Sequence, residues 1–479
     1  MDATYGKVTE DIALALKDIV GEKNFLFQDE EKLKPFGMDT LSLLTGELHI
    51  PDVVVKPVET SEVSKVMKLA SKYKIPVTPR GAGTGLAGSA IPVYGGIVLS
   101  LERMNRILEI NPVDRVAEVE PGVITNELCK KVLEQGLMYA GYPMSTESSF
   151  IGGNVATNAG GGKVIKYGNT RKHILGLEVV LPNGEILELG GRFRKSTWGY
   201  DLMQLMIGSE GTLGIVTRVT VNLISGGGSS IDLIVPFPDA HTAVQAVSKV
   251  IVDGNILPVA VEFMDRLSLT QSAKYHDIKV PFADREDAGA YLIIQLHGST
   301  PEELEQTYEK TGEICLENGA LDVFVAENRR DSENIWKVRE EYSQGLGLLG
   351  KRIYSNPGDF VVPFSKVPAM IDELKRLETK YNMLIPTVGH IADGNLHTMF
   401  IKPDEVPDEN WQDLAKEIYN EMTDAAIQLG GVGSGEHGIG VLKKPLFLKT
   451  KSPMEIELMR GIKKTFDPDN ILNPGKIFS

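Results

Sequence analysis

Cysteine is almost absent from this chain: 479 residues contain two, Cys129 and Cys315, with no CxxC spacing. Two isolated thiols cannot by themselves ligate an iron–sulfur cluster or build a disulfide framework, and a reducing compartment suits them. Positive charge is short as well. Fifty Lys and Arg stand against 65 Asp and Glu, a net charge of −15 with no basic stripe. That balance excludes a general nucleic-acid partner and serves solubility. Long apolar runs are missing, since none approaches the ~20 residues needed to span a bilayer. The N-terminus, MDATYGKVTEDIALALKDIV, is acidic and amphipathic and does not read as a signal peptide. The expected location is therefore cytoplasmic, with no transmembrane segment. Hydrophobic and charged contents of 42% and 24% are ordinary for a globular chain long enough for two or three domains.

Glycine is abundant. The stretch Pro79 to Ala90 reads PRGAGTGLAGSA, with glycines at 81, 83, 85 and 88. Glycines admit positive φ and close backbone approach, and successive amides in such a turn can converge on a phosphate. Gly83-Thr-Gly85-Leu-Ala-Gly88 matches GxGxxG, but a dinucleotide site needs a helix to open at the third glycine. Pro92 and Gly95-Gly96 break any helix there, and Ile97 to Leu101 reads as a strand. The loop is expected to join strand to strand and to cradle phosphate in another way.

Before this loop the pattern predicts a helix over residues 4–20, a polar segment to Ile50, a strand at Val53–Lys56, a helix at Ser61–Tyr73 and a strand at Pro76–Pro79. After it come strands at Ile107–Ile110 and Val116–Val119 and a helix at Thr125–Gln135. A second glycine-rich stretch, Gly141 to Gly162, is either a long surface loop or a binder of phosphate or ring edges. Ile174–Leu181 and Glu185–Leu189 form a predicted hairpin, with Asn183-Gly184 suited to a type I′ turn. Trp198-Gly-Tyr-Asp201 leads into an apolar helix, followed by a strand from Ile215 to Ile224. Ser225-Gly-Gly-Gly-Ser-Ser230 is the clearest boundary. Beyond it, strand–helix–strand units at 231–263 and 291–326 predict a ferredoxin-like antiparallel sheet backed by helices. Helices at 333–350, 367–381, 409–429 and 454–465 and two apolar strands around residue 393 complete the chain.

Three of the eight histidines lie in two glycine-containing turns: His390 and His397 in HIADGNLH, and His437 in GSGEHGIG. With Asp393-Gly394 as a two-residue turn, His390 would face His397 directly across a hairpin, close enough for both rings to reach one metal. Glu436 is a candidate carboxylate ligand, and two His plus one carboxylate suit Zn, Mn or Fe. A structural His pair is the alternative. Consecutive side chains in an extended loop diverge, so His437 is free to act as a base while Glu436 binds metal.

PRGAGTGLAGSA, SSFIGGNVATNAGG, GSEGTLGIVT, HIADGNLH, GEHGIG and DPDNILNPGK together, in this order, resemble the FAD-dependent 2-hydroxyacid dehydrogenases of the vanillyl-alcohol-oxidase superfamily. The resemblance runs from about residue 50 to the C-terminus. After the N-terminal helical segment (1–50) read from its amphipathic pattern, it implies an α+β chain: a two-subdomain PCMH-type FAD-binding domain (51–225), a ferredoxin-like cap domain (226–425), and a C-terminal segment (426–479) with a helix that returns to the FAD domain.

The same resemblance implies site residues. Pro79, Arg80, Gly81, Ala82, Gly83, Thr84, Gly85, Leu86, Ser89 and Ala90 would wrap the FAD pyrophosphate. Pro121, Gly122, Pro143, Ser149, Gly152, Gly153, Ala156, Thr157, Gly161, Tyr167 and Gly168 would line the cofactor. Glu210, Gly211, Gly214, Ile215 and Val216 would touch its adenosine side, and Asn473 would lie near the flavin. His390, His397 and Glu436 match the metal ligands, His437 the catalytic base, and Arg339 in WKVREEYS a grip on the substrate carboxylate, a task for which a guanidinium fork is well shaped. On sequence alone, a solvated helix charge is the plainer reading of Arg339.

Some superfamily members tether FAD to a histidine, but none occurs here between His49 and His173, so noncovalent FAD is expected. Enzymes acting on 2-hydroxyglutarate carry a lysine shortly before the strand that here reads DFVVP. This chain has Ser355-Asn-Pro357 there, with Lys351 and Arg352 earlier, which favours D-lactate or glycolate over D-2-hydroxyglutarate. The chain has no second redox motif, so the resemblance implies an electron acceptor: an electron-transfer flavoprotein, an iron–sulfur subunit or a quinone pathway. Any membrane contact would come through that partner. Two readings of another class stay open, a His/His/Glu metal hydrolase and a non-enzymatic flavin electron carrier.

Overall fold

The computed structural model describes residues 5–40, 42, 48–349 and 353–478, with backbone alone for 353–357. The chain divides into two compact units. One comprises Met1–Gly160, Gly168–Gly226 and Glu436–Ser479, the other Gly161–Tyr167 and Gly227–Gly435.

The first unit opens with a helix at Glu10–Val20. It starts later than its amphipathic pattern suggests because the Thr9 side chain caps the amide of Ile12 and Gly21 closes the other end. Strands β1 (Phe25–Phe27), β2 (Val53–Val55), β3 (Val77–Arg80) and β4 (Ile97–Ser100) form a sheet in the order β1-β2-β4-β3. β4 lies parallel to both β2 and β3, and the two central strands, β2 and β4, are buried and almost wholly apolar. The glycine loop leaves β3 and reaches β4 with no intervening helix, as Pro92 and the positive φ of Gly95 and Gly96 require. The C-terminus returns here: the Asn473 amide donates to Val77 O at 2.7 Å, and Val77 bridges Leu472 in parallel.

The chain next supplies β5 (Ile107–Asn111), β6 (Val116–Val119), β7 (Leu137–Met138), β8 (Ile174–Val180), β9 (Ile186–Gly190), β10 (Ile215–Asn222) and β11 (Ile224–Ser225). Five of these form an antiparallel sheet in the order β5-β6-β10-β8-β9, while β7 pairs with β11. The β8–β9 hairpin forms, but its turn differs from expectation. Only Gly184 has positive φ, and its amide donates to Leu181 O at 2.8 Å. Pro182 favours an ordinary turn ahead of one left-handed glycine, so the type I′ turn, which needs two positive φ values, does not form. The Gly141–Gly162 stretch is not a surface loop throughout. Ile151–Thr157 is helical, with Ile151, Gly152, Asn154 and Val155 buried.

The second unit is built on β12 (Ser229–Phe237), β13 (Ala260–Asp265), β14 (Ala290–Gly298), β15 (Phe324–Ala326), β16 (Ile353–Val361), β17 (Thr387–His390) and β18 (Asn395–Ile401), in the order β15-β12-β14-β13-β17-β18-β16. The first four make the ferredoxin-like arrangement, with helices Ala240–Val252 and Pro301–Glu317 as the two crossovers. Asp239 and Thr300 cap those helices with their side chains. β17, β18 and β16 extend the sheet past β13, which the two-unit pattern does not foresee. The helix expected over 333–350 is broken into Arg329–Glu340 and Tyr342–Leu346 by the non-helical Glu341. Residue 350 lies outside the described residues.

The β17–β18 hairpin corrects the sequence reading in register. His390 pairs with Asn395, and His397 pairs with Val388. Residues Ile391–Asp393 form a short helical turn that closes on a left-handed Gly394, whose amide donates to Ile391 O at 3.0 Å. The connection is therefore four residues long, and the two histidines are diagonal rather than opposite. A two-residue offset keeps both on one face.

Candidate active site

In the second unit the site grows from β13, whose sequence AVEFMD buries Glu262 in the middle of an apolar run. Glu262 is fully buried and stands in register with His390 of β17. Its Oε1 lies 2.7 Å from His390 Nδ1, and its Oε2 lies 2.6 Å from Arg339 Nη2. Backbone closes in from another side, because a Cβ on Gly162 would lie 2.5 Å from Oε1. Burial pushes the Glu262 carboxyl up, but the neighbouring His390 and Arg339 charges outweigh it and hold the group down at about 2. Sequence reasoning missed Glu262. The available signal was a carboxylate in the middle of a strand otherwise patterned for burial.

Arg339 is not a solvated helix charge. It is 3% exposed, and its Nε finds no acceptor among the described residues. A buried guanidinium with a donor to spare suits a carboxylate supplied from outside the chain. The rings of His390 and His397 lie 5.2 Å apart between centroids with their planes at 84°. The diagonal geometry thus still brings the two imidazoles together. Beside His397 on the neighbouring strand sits buried Asp359, a second residue not anticipated. Asp359 accepts from Asn395 Nδ2 at 3.1 Å and from Ser434 Oγ at 3.0 Å, and its carbonyl accepts from the Gly435 amide at 3.1 Å. The peptide bond after Gly435 leads to Glu436.

These donors fit a metal. A carboxylate on one ring nitrogen is how metal-binding histidines are usually oriented, and with Nδ1 on Glu262 any ligation by His390 goes through Nε2. Lys351 and Arg352, weighed for a second substrate carboxylate, lie outside the described residues.

In the first unit, Ala82, Thr84, Gly85, Leu86 and Ala90 lie half-buried along the glycine loop. Gly83 has φ +75°, and a Cβ there would lie 2.2 Å from Arg80 Nη2. The Arg80 guanidinium donates to Met38 O at 2.6 Å and Pro35 O at 3.2 Å, so it braces the loop from behind. Gly81 faces Gly153 backbone to backbone, with 3.6 Å from a Cβ on Gly81 to Gly153 Cα. Gly152 and Gly211 press on Pro121 and Pro79, where added Cβ atoms would come within 2.4 and 2.6 Å. At Gly83, Gly152 and Gly211 these contacts leave no room for a side chain, and bare backbone of this kind is what a pyrophosphate can approach.

The remaining expected cofactor residues are distributed unevenly. Pro143, Ala156 and Thr157 are half-buried, while the Ser149 hydroxyl is shared with Thr125 Oγ1 at 2.9 Å. Gly122 is buried against the 101–104 backbone, and Ile215 and Val216 pack in the cores beside β10. Gly161 and Tyr167 belong to the second unit, Gly168 and Gly214 to the first. Asn473 Nδ2 donates to Ser89 O at 2.9 Å and to Glu210 O at 2.7 Å.

The fold is that of PCMH-type flavoproteins: p-cresol methylhydroxylase with substrate bound superposes at a TM-score of 0.76, with 20% identity over 98% of this chain and 97% of that one. The sequence goes further. Residues 232–477 match the model for FAD linked oxidases, C-terminal domain, and residues 51–190 match that for an FAD binding domain. The chain belongs to the FAD-linked oxidases. It is 36% identical to D-lactate dehydrogenase of Anaerostipes hadrus over 99% of this chain and 98% of that protein. Glycolate oxidase subunit GlcD of Bacillus subtilis is 36% identical, over 98% and 97%. D-2-hydroxyglutarate dehydrogenase of Stutzerimonas stutzeri is 34% identical, over 97% and 98%. This kinship overturns the hydrolase reading, which treated the glycine loop as inert scaffold. Among the described residues no helix is long and apolar enough to cross a membrane.

Proposed function

We propose that this protein oxidises a small (R)-2-hydroxy acid, D-lactate first and glycolate next, to its 2-oxo acid. The observation that carries this reading is the double role of Glu262, which orients His390 and holds Arg339 buried with no acceptor for its Nε among the described residues. FAD, bound noncovalently, supplies the acceptor for the substrate Cα hydride. Arg339 orients the substrate carboxylate, and His437 takes the hydroxyl proton. His390, His397 and Glu436 would hold a divalent ion, Zn, Fe or Mn, and its charge would lower the pKa of a substrate hydroxyl beside it. Substrate thus leaves as its 2-oxo acid, short of one hydride and one proton. With no second redox motif in the chain, the electrons pass to a partner such as an electron-transfer flavoprotein, an iron–sulfur subunit or a quinone pathway. We place the enzyme in the cytoplasm, any membrane contact being made through that partner.

D-2-hydroxyglutarate remains the runner-up, because a relative of that name is as similar as the others to within two percentage points. Anaerobic mixing of the flavin-loaded protein with D-lactate, L-lactate, glycolate, D-2-hydroxyglutarate and malate decides between them. Bleaching fastest with D-lactate or glycolate supports the proposal. Bleaching fastest with D-2-hydroxyglutarate transfers the assignment, and no bleaching with any acid refutes it.

A further inference from the structure

Glu210 stands in GSEGTLG, where the family resemblance implies contact with the adenosine side of FAD. Its side chain does something else within the first unit. Oε1 accepts from the Ile439 amide at 2.7 Å, and Oε2 accepts from the Gly440 amide at 2.8 Å and from the Ser89 hydroxyl. The residue is 5% exposed, and among the described residues no Lys, Arg or His forms an ion pair with it. Its own backbone is left-handed, φ +52°, an uncommon state for a residue with a side chain. Asn473 and the Ala156 carbonyl hold that backbone, Asn473 through Glu210 O at 2.7 Å and Ala156 by accepting the Glu210 amide at 2.7 Å.

A buried carboxylate is costly unless its oxygens are satisfied, and here two consecutive amides supply most of that satisfaction. Those amides follow His437 by two and three residues. The turn they belong to is tight on its far side too: Gly440 has φ +51°, and a Cβ there would lie 1.9 Å from Ala87 O. The Val441 amide donates to the same carbonyl at 2.9 Å.

We propose that Glu210 is a positioning residue: its carboxylate clamps the Gly438–Gly440 turn and so fixes the direction from which His437 meets substrate. The inference rests on His437 acting as the base. It assigns Glu210 to the protein's own backbone rather than to the cofactor.

Glu210→Gln keeps the side-chain shape but replaces one acceptor by an amide donor, so one of the two backbone amides loses its partner. In the FAD-loaded full chain, the flavin-to-protein ratio and melting temperature should hold, and KM should move less than about threefold. The kcat should fall by about 10²-fold, the scale expected for an ångström-size misplacement. Hydrogen exchange of the peptide spanning 437–442, measured without substrate, should speed up at least tenfold. Gly440→Ala reaches the same turn from its other side and should give the same kcat loss if Glu210→Gln folds poorly. Flavin lost in step with activity, or unchanged exchange in an active enzyme, overturns the clamp. A wild-type chain that oxidises no 2-hydroxy acid, with exchange still faster in Glu210→Gln, instead overturns the reading of His437 as base.

Discussion

Glu262 and Arg339 form an ion pair of 2.6 Å with side chains 0% and 3% exposed, and the other oxygen of the same carboxylate takes His390. One buried group thus ties a candidate substrate-binding cation to a candidate metal ligand. Removing one partner of such a pair strands the other. Glu262→Ala should destabilise the protein by about 3–5 kcal/mol, measured by urea unfolding. Glu262→Gln should fold, yet raise KM for the hydroxy acid and lower metal content together. A Gln variant with both values unchanged would show that Glu262 is only core filling.

The proposed role of the glycine loop in holding flavin makes a separate prediction. Valine at position 83 must adopt φ near +75° with its Cβ inside the Arg80 guanidinium. Gly83→Val should therefore purify folded but colourless. The wild-type flavin should stay in solution when the polypeptide is precipitated by acid, given no histidine from residue 50 to 172. Flavin that co-precipitates would establish a covalent tether.

Asp265 ends β13 and fastens β17, accepting from the Thr387 amide at 2.6 Å and capping Ser268 at 2.7 Å. Burial pushes its carboxyl up to about 6 against the pull of those amides. The native state therefore keeps this proton through a range where the unfolded chain, with Asp near 3.9, has lost it. The stabilisation is complete below about pH 4 and is lost as pH rises through 6. A carboxyl carbon titration, assigned by the signal missing in Asp265→Asn, should show a midpoint near 6. A midpoint near 4 would remove this contribution.

How much of this was readable from sequence depended on how local each constraint was. The glycine loop, its helix-free exit to β4 and the ferredoxin-like crossovers follow from Pro92, Gly95-Gly96 and alternating patterns, all local signals. Hairpin register was not local. Asp393-Gly394 fits a two-residue turn as well as the end of a four-residue one, and the choice is made by Val362, whose amide donates to Gly394 O at 3.0 Å. The Pro182-Asn183-Gly184 turn failed for a nearer reason, a proline that outweighs the Asn-Gly preference. Glu262 stayed hidden because its partners lie 77 and 128 residues away in the chain.

Metal and base can be separated on the same preparations. His397→Ala and Glu436→Ala should each lower metal content and slow substrate oxidation. His437→Ala should keep metal and flavin while turnover falls ~10²–10⁴-fold, the usual cost of losing a general base. If His437→Ala loses metal while Glu436→Ala keeps it, the neighbouring roles exchange.

The most direct measurement of the central claim is the anaerobic reaction of the flavin-loaded enzyme with D-lactate carrying deuterium at C2. The expected result is one pyruvate formed per flavin reduced, slower bleaching than with the protium acid, and little reaction with L-lactate. Flavin that stays oxidised with D-lactate and with glycolate, or bleaching indifferent to both deuterium and enantiomer, would contradict it.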